Sequence, residues 1–389
     1  MDKAIWAYKI SKDRQADTLY LSNKDINHLS RVYNKYSIKP ESLIEVRVDY
    51  LLDRHSLIRY IIKELDILLK KGGRFIINST YTARHANFIR SKSQIKYEFS
   101  TSTNGRYILE KSAINNKTIS LTYVKNEETL TKEDNIKKWS FGIITNGKKN
   151  QQVVNLIDSI NNQNIPYYEI LICGDFNYSD KGKNPIISIE DPVLANEIRA
   201  PIAIKKNRIA NKAKYQNMMI LHDRYLLPDN WYQKIKKYGN YFDLLTMPNI
   251  GPNGGRVNDW GAYLGKPSEI YREVFHFLSY NKWSLGWYSQ GGMLIIKKNL
   301  YFQCALDNRL HWDELEDIQF SQIGNLLGWF YYIDVNNKVY TFSDRIKESK
   351  MGRSILLYRI KNLIFIKFII VRFFNISNHF QNLYFKKLL

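Results

Sequence analysis

The stretch YQNMMILHDRYLLPD, residues 215–229, organises the interpretation of the whole chain. Residues 218–221 form an apolar run that predicts a buried strand, and the polar triplet His222-Asp223-Arg224 follows it directly. Such a strand places polar side chains at the carboxyl edge of a sheet, where open α/β sheets bind their ligands. We therefore expect a ligand site at the triplet, and a surface turn with a local ion pair is the alternative.

Other stretches extend this prediction in both directions. WSFGIITNG (139–147) predicts a strand that ends in a glycine turn, QQVVNLIDSINNQ (151–163) has apolar residues at helical spacing, and YYEILICGD (167–175) predicts the next strand. A strand, helix and strand in this order favour a parallel sheet. IAIKKNRIANKAKY (202–215) predicts a basic helix, and LHWDELEDIQFSQ (310–322) carries Glu316-Asp317 at the start of a helical pattern.

This order of elements, with an acidic strand edge and a late Glu-Asp pair, resembles the glycosyltransferases of the GT-A fold, specifically the inverting family 2, over residues 139–345. The resemblance implies a Rossmann-like α/β nucleotide-sugar-binding domain at residues 131–348. It also implies transfer of a sugar, of hexosyltransferase type, from a nucleotide sugar to a glycan or lipid-linked saccharide in surface polysaccharide or glycoconjugate synthesis. A catalytically inactive GT-A-like protein that binds sugar or nucleotide is the alternative.

The resemblance assigns roles to particular residues. Asp317 corresponds to the base that takes the acceptor proton, and Glu316 orients the acceptor; an acidic cluster that only complements the helix dipole is the alternative. The residues assigned to the donor are Thr145, Asn146, Gly147, Asp175, Lys206, Asn207, His222, Asp223 and Arg224. The residues assigned to the acceptor or sugar are Asp259, Trp260, Gly291, Gly292 and Trp312. Trp283 and Trp287 are further candidates for stacking on a sugar, with core packing as the alternative for each tryptophan.

The metal-binding Asp-x-Asp motif of the family is altered in this chain. His222 and Arg224 stand at the two aspartate positions, with Asp223 between them. Two arrangements remain open. Asp223 with His222 can hold Mn²⁺ or Mg²⁺, or Arg224 with Lys205 and Lys206 can supply the positive charge that the diphosphate requires.

The first 130 residues predict a smaller α/β domain. LIEVRVDYLL (43–52) and RFIINST (74–80) read as strands on either side of a helix at 55–71 that Gly72-Gly73 would cap, and residues 106–126 read as a hairpin with its turn at Asn115-Asn116. The unit resembles the latter half of a class I methyltransferase domain. Residues 1–42 contain no glycine, and therefore no Gly-rich cofactor loop. We expect a non-catalytic remnant that serves packing, dimerisation or partner docking, or else an unrelated small domain, joined through a linker at 126–138.

Charge and composition bound the partners and the location. The 389 residues carry 58 Lys and Arg against 37 Asp and Glu, a net charge of +21, which favours polyanionic partners or surfaces. Without a nucleic-acid motif, we expect a nucleotide sugar, an acceptor, an anionic membrane surface and a homo-oligomer rather than nucleic acid. The two cysteines, and an N-terminus unlike a signal peptide, favour a cytoplasmic location.

The C-terminal tail, residues 349–389, has a composition of its own. It contains eight Lys and Arg and no acidic residue, interleaved with Ile, Leu and Phe. No run of about 18 apolar residues occurs in the chain, so no spanning helix is predicted. We expect a basic amphipathic helix that lies peripherally on the inner face of a membrane, or alternatively a helix that packs on the protein.

Overall fold

The structure is a computed structural model that describes residues 18–22, 40–50, 58–80, 92–115, 118–176, 185–192, 200–263, 275–280, 286–312 and 314–342. Over these ranges the chain is a mixed α/β protein with a five-stranded sheet, a seven-stranded sheet and two three-stranded sheets. The predicted α/β class is therefore confirmed. The tail at 349–389 lies outside the described residues, and so does most of the chain before residue 40.

The five-stranded sheet belongs to the first part of the chain. Its order is β1-β2-β3-β5-β4, with β1, β2 and β3 parallel and β4 and β5 forming an antiparallel hairpin, as predicted for residues 106–126. The resemblance of this unit to a methyltransferase domain stays a prediction. The elements are β1 (Thr18–Ser22), β2 (Leu43–Asp49), α1 (Ile58–Leu68), β3 (Leu69–Thr80), α2 (Lys92–Ser102), β4 (Tyr107–Asn115) and β5 (Thr118–Lys125).

The predicted helix cap at Gly72-Gly73 is wrong, because both glycines lie inside β3. Helix α1 ends earlier, at Leu68, and the next residue already pairs with β2. The pairing then shifts from Leu43↔Leu69 to Glu45↔Arg74, so residues 70–73 bulge out of the ladder. Gly72 has φ +80°, the left-handed conformation that such a bulge favours.

The second part of the chain holds the larger sheet. Its helices are α3 (Asn150–Asn161), α4 (Ile202–Lys212), α5 (Trp231–Tyr238), α6 (Lys298–Tyr301) and α7 (Glu316–Leu326). The strands are β6 (Lys138–Ile144), β7 (Tyr167–Cys173), β8 (Ile186–Ile189), β9 (Asn217–His222), β10 (Tyr225–Leu226), β11 (Leu244–Thr246), β12 (Asn249–Ile250), β13 (Trp260–Tyr263), β14 (Phe275–Phe277), β15 (Trp287–Ser289), β16 (Met293–Lys297), β17 (Tyr331–Ile333) and β18 (Val339–Thr341). The strands predicted at 139–147, 167–175 and 218–221, and the three helices between and after them, are confirmed within a few residues.

The seven-stranded sheet has the order β17-β11-β16-β9-β6-β7-β8. Strands β6, β7, β8 and β9 are parallel, and β16 is antiparallel to β9. Helix α4 packs closely on this sheet because Gly142 in β6 has no side chain; a Cβ there would overlap the side chain of Ile209. Because β6, β7 and β9 are parallel and β16 is antiparallel to β9, the carboxyl ends of the first three strands meet the amino end of β16 at one edge of the sheet.

Polar contacts join the two parts of the chain at the opposite edge. The Lys63 ammonium in α1 is 2.8 Å from the Asp243 carboxylate, and the Tyr241 hydroxyl donates to Glu41 at 3.1 Å. The predicted linker contains no helix or strand in residues 126–137, but it is anchored rather than free, since Asp134 pairs with Lys297 at 2.9 Å. None of the helices described in the structure is long and apolar enough to cross a membrane.

Candidate active site at the carboxyl edge of the large sheet

The centre of the site is a hydrogen bond between the ends of β6 and β9. The Thr145 hydroxyl donates to Asp223 Oδ2 at 2.9 Å and accepts the Gly147 N–H at 3.1 Å. The backbone N–H of Asp223 donates to the carbonyl of Ile144 at 3.1 Å, so the pairing with β6 continues one residue past the end of β9. The structure therefore brings the predicted residues at 145–147 and 222–224 together, as the parallel pairing of β6 and β9 requires.

Two glycines allow the loops after β6 and β7 to approach each other. Gly147 has φ +76°, and a Cβ there would lie 2.5 Å from the carbonyl oxygen of Asp175. Gly174 has φ +140°, and a Cβ there would overlap the backbone of Thr145. Asp175 is exposed beside Gly147, and Asn146 is exposed as well. The ends of both strands thus form one open rim with accessible carboxylate and amide groups.

The turn Gly291-Gly292, between β15 and β16, forms the facing wall of the site. The N–H of His222 donates to the carbonyl of Gly292 at 3.0 Å. A Cβ at Gly292 would lie 2.7 Å from the Tyr225 hydroxyl and 2.9 Å from the guanidinium of Arg224. Glycine at this position therefore lets the Arg224 side chain lie directly against the turn.

The Glu-Asp pair reaches the same turn from α7, which begins at Glu316. The N–H of Gly291 donates to Asp317 Oδ2 at 2.8 Å, and the Tyr288 hydroxyl donates to the same oxygen at 2.6 Å. Burial raises the pKa of Asp317, the neighbouring Glu316 carboxylate raises it further, and the Lys206 ammonium opposes both. A carboxylate with a raised pKa is a better proton acceptor than an ordinary aspartate, which suits a general base.

Lys206 and Asn207 lie on α4, but their polar groups face protein partners. The Lys206 ammonium is 3.2 Å from Glu316 Oε1. Asn207 donates to Asn308 and to the carbonyl of Leu306, and accepts from Tyr301. Both residues are buried, so neither can make its predicted contact with the nucleotide-sugar donor in this conformation.

Lys205 is the other basic residue that was expected to neutralise the diphosphate, and it too contacts groups of the protein. Its ammonium donates to the carbonyl of Thr145 at 2.7 Å and pairs with Asp191 at 2.8 Å. It therefore supports the loop after β6 from behind. Arg224 is partly exposed and lies at the site itself.

The residues predicted to contact the sugar or acceptor are divided between the interior and the surface. Asp259 is fully buried, where it pairs with Arg256 and accepts the Tyr280 hydroxyl. Trp260 is 2% exposed and packs on Tyr331 with ring centroids 5.2 Å apart. Trp287 is likewise buried, and Trp283 lies outside the described residues. Trp312 is 41% exposed, so its ring is accessible for stacking.

The site offers few side chains that could coordinate a metal ion. The described residues contain no group of three or more His, Cys, Asp and Glu side chains that could hold a metal. Asp223 offers a carboxylate at the sheet edge, and its Oδ2 already accepts from Thr145. Magnesium is commonly held by one or two carboxylates together with substrate phosphates and water. Asp223 thus fits an Mn²⁺ or Mg²⁺ ion that a diphosphate would complete, and Arg224 fits direct binding of the phosphates.

Two functional candidates escaped sequence reasoning. Tyr288 contacts Asp317 across 29 residues of sequence, and Gly174 shapes the rim. Within GWYSQGG the tyrosine stands in an aromatic run that is typical of a core strand. The glycine that directly follows the apolar run of β7 was a signal for a tight strand end.

No family model matches the sequence, and no curated protein matches it. Among solved structures, the chain is similar to residues 1–349 of S. aureus TarS, with 13% identity and a TM-score of 0.37 over 53% of this chain and 60% of that one. For the same fragment in complex with UDP-GlcNAc the values are 13% and 0.36, over 54% and 59%. A longer TarS structure is covered to 37%, with 14% identity and a TM-score of 0.36. The chain spans about 60% or less of these proteins, and likenesses of this size do not establish a common fold or activity.

Proposed function

We propose that this chain is a glycosyltransferase that moves a sugar from a nucleotide-sugar donor to a glycan or lipid-linked saccharide acceptor. One observation carries the proposal. The carboxylate of Asp317 and the side chain of Arg224 lie against the two adjacent glycines of a single turn, Gly291 and Gly292. A proton acceptor and a phosphate-binding group are thereby held at the same edge of the sheet, as transfer of a sugar from a nucleoside diphosphate sugar requires.

The reaction that fits this arrangement is a single displacement with inversion. Asp317 takes the proton of the acceptor hydroxyl as its oxygen bonds to the anomeric carbon, and the bond from that carbon to the diphosphate breaks. The leaving diphosphate gains negative charge, which Arg224 neutralises. A divalent ion on Asp223, when bound, would supply further charge stabilisation. The open rim at Asn146 and Asp175 suits the nucleotide.

A second candidate is a GT-A-like protein that binds sugar or nucleotide without turnover. It is favoured by the internal pairing of Lys206 and Asn207, which removes two groups that the family resemblance assigns to the donor. It is also favoured by the triplet after β9, in which Asp223 is flanked by His222 and Arg224 where the family has two aspartates. The two candidates differ in one measurable property, because only the first releases nucleotide in the presence of an acceptor.

The test is nucleotide release from a panel of nucleotide sugars that includes UDP-GlcNAc, with lipid-linked and free saccharide acceptors, each with and without Mn²⁺. We expect acceptor-dependent release by the wild-type protein and a loss of about two or more orders of magnitude in Asp317→Asn, with donor affinity retained. Asp158→Asn, on the exposed face of α3, is the matched control and should keep full activity. Binding without release for every donor would favour the second candidate, and near-wild-type activity in Asp317→Asn would place the base elsewhere.

A further inference from the structure

The carboxylate of Asp317 is held asymmetrically. Its Oδ2 accepts two hydrogen bonds, from the Tyr288 hydroxyl at 2.6 Å and from the Gly291 N–H at 2.8 Å. Across the described part of the chain, its Oδ1 accepts one hydrogen bond, from the N–H of the next residue, Ile318, at 2.9 Å. A carboxylate offers about four acceptor positions over its two oxygens, so Oδ1 retains the greater free capacity.

Tyr288 is held rigidly as a donor to this carboxylate. The residue is 9% exposed, and burial, followed by the charge of Asp317, raises the pKa of Tyr288 well above its ordinary value. The hydroxyl therefore keeps its proton throughout the neutral range. At the next position of β15, the Ser289 N–H donates to Ser321 Oγ at 2.9 Å, and that hydroxyl donates to the carbonyl of Asp317 at 2.6 Å. Two consecutive residues of β15 thus fix the first turn of α7.

We propose that Tyr288 is a positioning residue that, together with the Gly291 N–H, anchors Asp317 through Oδ2 and leaves Oδ1 as the atom that takes the acceptor proton. This inference rests on the proposed function, since it assigns the proton to one atom of the proposed base. Tyr288 touches the carboxylate and not the reacting atoms, so it acts through Asp317.

The charged and titratable groups that face Asp317 determine the sign of the expected change. Glu316 on the same helix raises the pKa of Asp317, as burial does, whereas Lys206 from α4, Tyr288 from β15 and the Gly291 N–H lower it. Removal of the Tyr288 hydroxyl takes away a hydrogen bond that favours the ionised carboxylate. The pKa of Asp317 should therefore rise, and the base should become protonated at a higher pH than in the wild-type protein.

The experiment compares Tyr288→Phe with the wild-type protein over a range of pH. We expect the acidic limb of the kcat profile to move to higher pH by about one to two units, which lowers kcat roughly ten- to hundredfold on that limb while the donor KM stays unchanged. Tyr168→Phe is the matched control, because that buried hydroxyl donates to Asn161 Oδ1 at 2.8 Å near the amino end of β7, at the opposite edge of the sheet. Its acidic limb should stay where the wild-type limb is.

A second readout is independent of turnover. In protein labelled with ¹³C at the aspartate carboxyl carbons, the Asp317 signal is identified by its absence in Asp317→Asn, and its titration midpoint is measured by NMR. Tyr288→Phe should raise that midpoint, and Tyr168→Phe should not. An unchanged midpoint overturns the positioning role whatever the activity. A raised midpoint with an unmoved kinetic limb also overturns it, because the base is then another group. If the wild-type protein transfers no sugar, the proposed function fails and the catalytic role of Oδ1 fails with it, while the midpoint still shows whether Tyr288 holds the carboxylate.

Discussion

The ion pair between Lys206 and Glu316 gives the sharpest stability prediction. It joins α4 to α7 across 110 residues of sequence, with 3.2 Å between the ammonium and Oε1. The two side chains are 2% and 8% exposed. Breaking a buried ion pair from one side leaves the other charge uncompensated, which costs about 3–5 kcal/mol. Lys206→Met keeps the length of the side chain and removes the charge, so we expect the free energy of unfolding to fall by about that amount.

The matching variants separate the pair from its surroundings. Glu316→Gln should also destabilise the fold, because it leaves the Lys206 ammonium buried without its partner. In the double variant neither charge remains, so the loss should be smaller than the sum of the single losses by roughly 1–3 kcal/mol. Urea unfolding of the four proteins at pH 7 measures this difference. Additive losses would refute the coupling that the 3.2 Å contact implies.

The same variants decide what Lys206 does. If its role is to hold Glu316, the affinity for whichever nucleotide sugar proves active should be similar in the wild-type protein and in the double variant. If Lys206 instead binds the diphosphate, as the family resemblance suggests, calorimetry should show weaker donor binding in Lys206→Met and in the double variant, but not in Glu316→Gln. That result would refute the interpretation of Lys206 as a structural residue.

Four further predictions follow from other parts of the chain. Gly142→Ala should destabilise the protein by about 1–3 kcal/mol in urea unfolding, because its Cβ would meet Ile209; an unchanged midpoint would contradict the close packing of α4. Burial raises the pKa of Asp334 to about 6, so its ionised form destabilises the folded protein above that pH, and this cost disappears below about pH 4. Asp334→Asn should therefore raise the free energy of unfolding by roughly 1–3 kcal/mol at pH 8 but not at pH 4. An equal effect at both pH values would refute this reasoning. The protein should float with anionic vesicles at low salt, and truncation after Ser349 should abolish flotation while binding of the nucleotide sugar remains. Equal flotation of both proteins would refute the membrane hypothesis. Calorimetry should detect no binding of S-adenosylmethionine, and micromolar affinity would refute the prediction of a non-catalytic first unit.

Local patterns identified the elements of the large sheet correctly. The apolar runs before residues 145, 174 and 222 became β6, β7 and β9, and the helical spacing at 151–163, 202–215 and 316–322 became α3, α4 and α7. The grouping of residues 145–147, 175 and 222–224 also followed from sequence. Side chains at the carboxyl ends of neighbouring parallel strands lie at the same edge of the sheet, however the rest of the chain is arranged. The family resemblance assigned Asp317 to the acceptor proton and Gly291-Gly292 to the acceptor or sugar, and the structure adds the hydrogen bond that joins them.

The residues that sequence placed least well are those whose surroundings are not local. A single lysine in a basic helix gives no sign that it pairs with a glutamate 110 residues away, and Trp260 gives no sign that it is buried while Trp312 is exposed. Gly72 follows a helical pattern as a cap would, but pairing of the next strand with β2 starts first and turns it into a bulge. Strand and helix periodicity is determined by each residue's near neighbours, so the sequence alone determined the sheet and its polar edge. Burial and charge pairing depend on which elements pack together, so only the tertiary structure decided that Lys206 faces Glu316 and that Tyr288 holds Asp317.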